Sequence, residues 1–344
     1  MKLPIKPPYP PMEARAVPQP PRGEEWQYEP KWDGFRCLAF REGTEIYLQS
    51  KSGQPLARYF PDVIDSLSKL GAKKFILDGE ILIPLNGRAS FDQLLQRIHP
   101  AASRVKKLAA DYPALFVVFD ILVTEKGTSI AELPLASRRK ELERIAKRFF
   151  GGKKGIVLSP ATMDLKKAQK WFSSANSGLD GIVAKRRDLH YLSGSRDGMQ
   201  KIKHHQTADC VVGGFRYSEG KQTVGSLLLG LYDDEGHLNH VGFTSSFSAK
   251  DRADLIKVLK PLMGGSGFTG KAPGGPSRWS TRRSSEWEPL QPKLVIEVEY
   301  DNFTGQRFRH GTHFVRFRPD KRPRDCTLEQ VSNGRGAKLK LLKA

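Results

Sequence analysis

Short apolar runs broken by carboxylate-glycine turns constrain this chain more than any other feature. Glu25-Trp26-Gln27-Tyr28 alternates as a strand and continues through Glu29-Pro30-Lys31-Trp32 to an Asp33-Gly34 turn, where Phe35-Arg36-Cys37-Leu38-Ala39-Phe40 takes up the extended pattern again. Phe75-Ile76-Leu77 and Ile81-Leu82-Ile83 flank Asp78-Gly79-Glu80, which is expected to interrupt the strand. Leu115-Phe116-Val117-Val118-Phe119 reads as a buried strand ending at Asp120, with Ile121-Leu122 beyond it. Glu45-Ile46-Tyr47-Leu48, Gly181-Ile182-Val183-Ala184-Lys185 and Met199-Gln200-Lys201-Ile202-Lys203 add further strands, and Ser50-Lys51-Ser52-Gly53 forms a polar turn.

Helical periodicity is set between these runs. Val63, Ile64, Leu67 and Leu70 share one side of a helix from Phe60 to Leu70. Ser90-Phe91-Asp92-Gln93 is a capping box that opens a helix through Leu94, Leu95 and Ile98. Arg138 to Phe149 reads as a basic helix with Leu142, Ile145 and Phe149 inward, and another helix spans about Leu165 to Phe172. Ahead of all this, residues 1–23 carry eight prolines between Pro4 and Pro21, which excludes a regular helix and leaves an extended strap, either a disordered arm or one lying along the first domain.

The character of the chain changes near His204-His205-Gln206-Thr207. Short strands follow at Cys210–Tyr217, Gly225–Tyr232, Leu238–Thr244 and Leu294–Tyr300, a spacing that suggests a small barrel. Ser248-Ala249-Lys250-Asp251 opens one helix carrying Leu255, Val258, Leu259 and Leu262, and residues 264–279 are expected to be a mobile loop. The predicted organisation is α+β, with a first domain over 1–206, a barrel over 207–330 and a frayed basic tail over 331–344.

The formal charge of +20 favours a polyanionic partner, because each Lys or Arg set on a phosphate releases counterions. A membrane surface is the other polyanion, but no basic amphipathic helix or lipidation motif points to it. Cys37, Cys210 and Cys326 are far apart and odd in number, and they form no zinc spacing with His204 and His205. Without an apolar signal core or a run of membrane-spanning length, the expected compartment is the reduced cytoplasm.

Five blocks stand in one order through the first domain: Lys31-Trp32-Asp33-Gly34, Asp78-Gly79-Glu80, Phe119-Asp120, Asp180-Gly181-Ile182-Val183-Ala184-Lys185 and Lys201-Ile202-Lys203. A sixth, Arg316-Phe317-Arg318-Pro319-Asp320-Lys321, follows in the second. Singly each has an ordinary explanation: Lys31 as a solvated surface lysine beside an Asp-Gly turn, against an amine nucleophile whose turn lets backbone approach a nucleotide, and Lys201 and Lys203 as the wet face of a strand. Together they supply one amine nucleophile, carboxylates for a divalent metal, an aromatic for a base and cations for phosphates. His99, His310, His313, Trp279 and Trp287 are assigned structural roles.

Over nearly its whole length this set of motifs resembles the covalent nucleotidyltransferases, and within them the small bacterial ATP-dependent DNA ligases of the C type. The resemblance implies an adenylation domain followed by an OB-fold barrel. It implies that Lys31 attacks ATP to form lysyl-AMP, with Lys185, Lys201 and Lys203 supplying a positive field that favours the neutral amine. Glu29 is expected to select adenine and Phe119 to stack on it. Arg36 and Glu80 are expected to hold the ribose, Glu80 and Asp180 to ligate Mg²⁺ or Mn²⁺, and Ser50 and Lys51 to meet phosphate and DNA. Arg318, Asp320 and Lys321 would clamp pyrophosphate. The chain departs from the common pattern with Lys51 for arginine, Asp180 for glutamate and Met199 for tryptophan. The implied activity is sealing of 3′-hydroxyl/5′-phosphate nicks in duplex DNA by a monomer, in an accessory repair role. RNA ligation or guanylyl transfer, and a nucleic-acid-binding protein without catalysis, are the alternatives.

Overall fold

The computed structural model describes residues 1–151, 155–173, 179–203, 206–218, 223–274, 286–332, 339 and 342. They fall into two compact units, Met1–His204 with Gly334–Ala344, and His205–Asn333. His204, His205 and Trp279 lie outside the described residues. Among the described residues no helix is long and apolar enough to cross a membrane.

The first unit is built on two sheets. One has five strands in the order Glu45–Ser50, Phe35–Glu42, Lys74–Leu82, Leu115–Val123 and Ile156–Leu158. Its pairings are antiparallel except the last, which is parallel. Phe60, Val63 and Leu67 of the Pro61–Ser68 region and Leu142 and Ile145 of helix Leu135–Ile145 pack against Leu77, Phe116 and Val118 on one face. The other sheet has the order Arg15–Ala16, Met199–Lys203, Gly181–Arg186 and Trp26–Pro30. Trp26, Tyr28, Ile182, Ala184 and Ile202 form its apolar side, covered by Trp171 of helix Leu165–Ser173. The chain passes from one sheet to the other through Lys31-Trp32-Asp33-Gly34.

Several expectations change at this level. Lys74–Leu82 is one continuous strand, and Asp78-Gly79-Glu80 only shifts its register against Leu115–Val123. Leu115–Val123 likewise runs through Asp120. Buried carboxylates are tolerated here because each meets an arginine, Asp78 with Arg36 and Asp120 with Arg138. The capped helix is short, Phe91–Gln96, and leaves Leu95 and Ile98 exposed. A π-helical turn at Ala146–Phe150 shifts the phase of the basic helix, so that Phe150 is buried. Helix Ala102–Asp111 has no counterpart in the sequence reading.

The strap lies along the first unit. Leu3 and Met12 are buried beside Leu38, Phe40, Ile76 and Tyr191, on the five-stranded sheet's second face. The tail is not wholly frayed either: the Leu339 N–H donates to the Gly87 carbonyl, and Leu339 and Leu342 pack on the Trp26 cluster.

In the second unit the strand order is Leu238–Thr244, Val224–Tyr232, Gln206–Tyr217, Val295–Tyr300 and His313–Phe317. Among the described residues the two edge strands are joined only by a parallel bridge between Thr244 and Thr312, so the expected barrel is a partly open one. Helix Ala249–Leu259 buries Leu255 and Leu259 but leaves Val258 exposed. The expected mobile loop is anchored as far as residue 274. Phe268 is buried against His240 and Trp287, the His240 N–H donates to the Lys271 carbonyl, and that of Gly270 to Leu238. Residues 275–279 lie outside the description.

Candidate functional site

The four-stranded sheet aligns its polar side by register. Gln27 pairs with Lys185 and Lys185 with Met199; Glu29 pairs with Val183 and Val183 with Lys201; Gly181 pairs with Lys203. Because strand side chains alternate, Glu29, Lys185 and Lys201 share a face with Met199 and turn from the Trp26 core toward a cleft. That cleft, of about 180 Å³, is lined by Glu29, Lys31, Arg36, Lys51, Glu80, Phe119, Lys185 and Lys201, together with Trp32 and Pro11–Ala14 of the strap. Lys203 lies beyond Lys201 on the same strand. Ser50 is not in the lining; its hydroxyl accepts the Gln54 N–H at 2.9 Å.

Lys31 is placed by its backbone. Its N–H donates to the Gly181 carbonyl at 2.9 Å, and the neighbouring Trp32 is buried with its indole N–H donating to Ser159 Oγ at 2.9 Å. Two glycines permit this geometry. A Cβ at Gly34 would overlap the Ile81 carbonyl, so the turn brings backbone against the neighbouring strand, and the Gly34 N–H donates to Glu80 at 3.1 Å. Gly181 has φ +146°, and a Cβ there would overlap the Ile202 carbonyl. Gly181→Ala is therefore expected to destabilise the first unit by about 1–3 kcal/mol and to displace Asp180, seen as a lower melting temperature.

The Lys31 ammonium is ion-paired with Asp180. Burial acts to lower its proton affinity, but Asp180, Asp33 and Glu80 outweigh burial and hold it above the ordinary lysine value. At Lys31 the carboxylates prevail over the expected positive field, although Lys201 is near enough to feel the Lys31 charge. Glu80 is pushed up to about 7 by burial, opposed by Arg36 and Lys31. Lys185 is buried and donates to Glu29 at 2.8 Å, while Glu29 also accepts from Gln27 Nε2 at 2.8 Å. The Phe119 ring is covered by cations, Lys185 Nζ at 4.4 Å and Arg36 Cζ at 4.7 Å from its centroid.

Arg36 is held by a carboxylate that sequence reasoning left without a role. It donates from Nε and Nη2 to the two oxygens of Asp78, each at 2.6 Å. Tyr191 Oη donates to Asp78 at 2.7 Å and accepts the Met12 N–H at 3.0 Å. Behind it Arg138 forms a two-pronged pair with Asp120, both contacts 2.9 Å. Arg138 was not singled out, although its place on the same helical stripe as Leu142 and Ile145 is a signal that marks it as inward. Tyr191 carried no such signal.

In the second unit Arg318, Asp320 and Lys321 stand together. Arg318 donates to Asp209 at 2.8 Å and to Asp320 at 2.9 Å, and Lys321 lies 3.7 Å from Asp209. His310 pairs with Asp301 at 2.8 Å.

Among the described residues no three His, Cys, Asp or Glu side chains converge as a metal cage. Glu80 and Asp180, the pair expected to hold the metal, both act on Lys31, as does Asp33. Two carboxylates completed by waters and substrate phosphates are the usual donors for Mg²⁺, so the residues fit that ion.

The cleft thus brings together a lysine that follows a strand, carboxylates against its amine, and further lysines on the neighbouring strands. Residues 13–203 match the family described as ATP dependent DNA ligase domain, and residues 220–321 the ATP dependent DNA ligase C terminal region. The chain is 43% identical to DNA ligase C1 of Mycolicibacterium smegmatis, over 96% of each chain. It is 29% identical to the multifunctional non-homologous end joining DNA repair protein LigD of Mycobacterium tuberculosis, over 90% of this chain and 38% of that one. A structure of a Lig E DNA ligase shares the fold, with a TM-score of 0.55 at 16% identity, covering 89% of this chain and 99% of the other. The chain belongs to the ATP-dependent DNA ligases. Within them it stands with the small bacterial enzymes.

Proposed function

We propose that this ligase seals nicks bearing a 3′-hydroxyl and a 5′-phosphate in duplex DNA, using Lys31 as the nucleophile, and that it serves DNA repair. The observation that carries the proposal is the position of Lys31 at the crossover between two sheets, its amine paired with Asp180 and facing Glu80. The amine attacks the α-phosphorus of ATP, a phosphoramidate forms, and pyrophosphate leaves. AMP then passes to the 5′-phosphate of the nick, and the 3′-hydroxyl displaces it.

Attack needs the neutral amine, and in this geometry the carboxylates oppose it. Asp180 is the nearest acceptor for the Lys31 proton. A Mg²⁺ or Mn²⁺ held by Glu80 and Asp180 would neutralise the charge that keeps Lys31 protonated and would shield the phosphate oxygens. Lys185, Lys201 and Lys203 take charge on the transferring phosphoryl group, Glu29 and Phe119 face the base, and Arg36, fixed by Asp78, faces the ribose. Ser50 and Lys51 serve the DNA phosphates, and Arg318, Asp320 and Lys321 the pyrophosphate. The proposed organisation is an adenylation domain to residue 206, an OB-fold to 330 and a basic tail, acting as a cytoplasmic monomer. The likeness to a ligase named for end-joining repair supports the repair assignment.

Incubation with α-labelled ATP and Mg²⁺, followed by a denaturing gel and a chase with nicked duplex, tests this reading. Label is expected to join the protein and leave on adding nicked DNA. Label released by RNA ends and not by nicked DNA would overturn the DNA assignment. Absence of label, both before and after a pyrophosphate strip, would overturn the lysyl-AMP step.

A further inference from the structure

We propose that Gln27 is a positioning residue that decides which nucleotide base is accepted. By holding one oxygen of Glu29 while Lys185 holds the other, it leaves that carboxylate only acceptor positions to offer. A purine with an amino group at position 6 then fits, and one with a carbonyl there is rejected. The inference rests on the reading above in which Glu29 faces the base. Gln27 belongs to none of the six motif blocks and stands behind the cleft lining, so nothing so far gave it a role.

Strand Trp26–Pro30 puts Gln27 and Glu29 on one face, because side chains two apart along a strand point the same way. In the antiparallel register Gln27 stands across from Lys185, and Glu29 across from Val183. All three polar side chains are buried, with Gln27 5%, Glu29 2% and Lys185 7% exposed. Gln27 Nε2 donates to Glu29 Oε1 at 2.8 Å, and Lys185 Nζ donates to Glu29 Oε2 at 2.8 Å. Lys185 is fixed in turn over the Phe119 ring, 4.4 Å from its centroid. The carboxylate therefore has a donor on each oxygen, and two strands set its orientation.

Charge explains why an amide suits this place. Glu29 and Lys185 balance each other, so a second cation at Oε1 would leave net positive charge in a buried spot. An apolar residue would leave that oxygen unpaired, which burial penalises. The glutamine amide satisfies the oxygen and adds no charge. A carboxylate that receives an ammonium and an amide donor has lone pairs left and no proton, so toward a base it can only accept. Adenine offers the donor N6–H₂ at position 6, whereas guanine offers the acceptor O6. An acceptor set against a buried acceptor leaves both unpaired, and a site built this way discriminates strongly.

Gln27→Met nearly keeps the volume and removes the donor. Formation of the labelled protein adduct is measured with α-labelled ATP, GTP and ITP, on protein stripped of AMP with pyrophosphate. The ATP-over-GTP ratio of kcat/KM is expected to fall about three- to tenfold, the scale of one hydrogen bond, mainly through a raised KM for ATP. Gln27→Glu keeps the shape and replaces the donor with an acceptor, and it should lower the ratio at least as far. Unaltered protein should discriminate against ITP, which carries O6 without the 2-amino group, as strongly as against GTP. That arm needs no variant to fold. A ratio unaltered in both variants, equal losses for ATP and GTP, or ITP used as well as ATP would overturn the proposal and leave Gln27 a strut of its strand. Failure of the underlying reading is distinguishable: Glu29→Gln would then leave the ratio unaltered, and without ligase chemistry the unaltered protein would form no lysyl-AMP.

Discussion

Replacing Lys31 with alanine is expected to lower formation of the protein–AMP adduct by more than about a thousand-fold, the scale of losing a covalent nucleophile. The neighbouring lysines are poorly placed to substitute. Lys185 is buried in its pair with Glu29 and lies over Phe119, and Lys201 projects from the strand beyond Val183. The fold should persist, because Lys31 is positioned by its backbone bond to Gly181 and by the Trp32 anchor, neither of which needs the amine. Asp180 loses its partner, and burial then acts on it unopposed by that cation, so a small fall in melting temperature accompanies the loss of activity. Sealing of a nick already carrying a 5′-adenylate should survive, since that step needs no amine nucleophile. A variant that still takes up label from ATP, with its mass shift on another residue, would remove Lys31 from the reaction.

The largest expected effect on stability is at Arg138, outside the proposed chemistry. Arg138→Met is expected to destabilise the first unit by about 3–5 kcal/mol, because it leaves the Asp120 carboxylate buried without its partner. For a unit of this size that is a fall in melting temperature of roughly 6–20 °C. Arg138 also donates to the Leu133 carbonyl at 2.7 Å and the Leu189 carbonyl at 3.3 Å, acceptors that methionine cannot serve. The double variant Arg138→Met with Asp120→Asn should recover part of the loss, since it removes both charges.

The pH dependence carries a sign. Burial raises the Asp120 carboxyl but Arg138 prevails, so its folded value is lowered. Its stabilising contribution is present above the unfolded value of about 3.9 and is lost as pH falls through the lower folded value. In Arg138→Met burial dominates, the folded value rises, and stability is lost as pH rises through it. The difference in melting temperature between the two proteins should therefore widen from about pH 4 toward neutrality. A constant difference across that range would show that the arginine contributes packing and not charge pairing.

How much of this was legible in the chain differs by kind of feature. Strand periodicity around Phe35, Leu77 and Val117 follows from apolar spacing and was readable. The continuity of Lys74–Leu82 and Leu115–Val123 through Asp78 and Asp120 was not, because it depends on Arg36 and Arg138 arriving from elsewhere. Leu95 and Ile98 looked like core by period and are exposed, while Phe150 is buried through a π turn that spacing does not announce. Val258 erred in the same direction. The strap could be read as extended from its prolines, but its docking depends on Gln49, Tyr191 and Ser195.

By itself the sequence determined the kind of chemistry, because reactive groups are local: a lysine before Asp-Gly, paired carboxylates, and lysines two residues apart on a strand are all visible in order. It also determined that the chain would divide into an α+β part and a strand-rich part. Only the tertiary structure decided which charge faces which. Lys31 and Asp180 are 149 residues apart, and their pairing sets carboxylates against the amine where a field of lysines was expected. The physical reason is that a proton's affinity for a buried group follows distances of a few ångströms to charges that distant strands deliver, while periodicity and motif spacing report only which face of its own element a residue occupies.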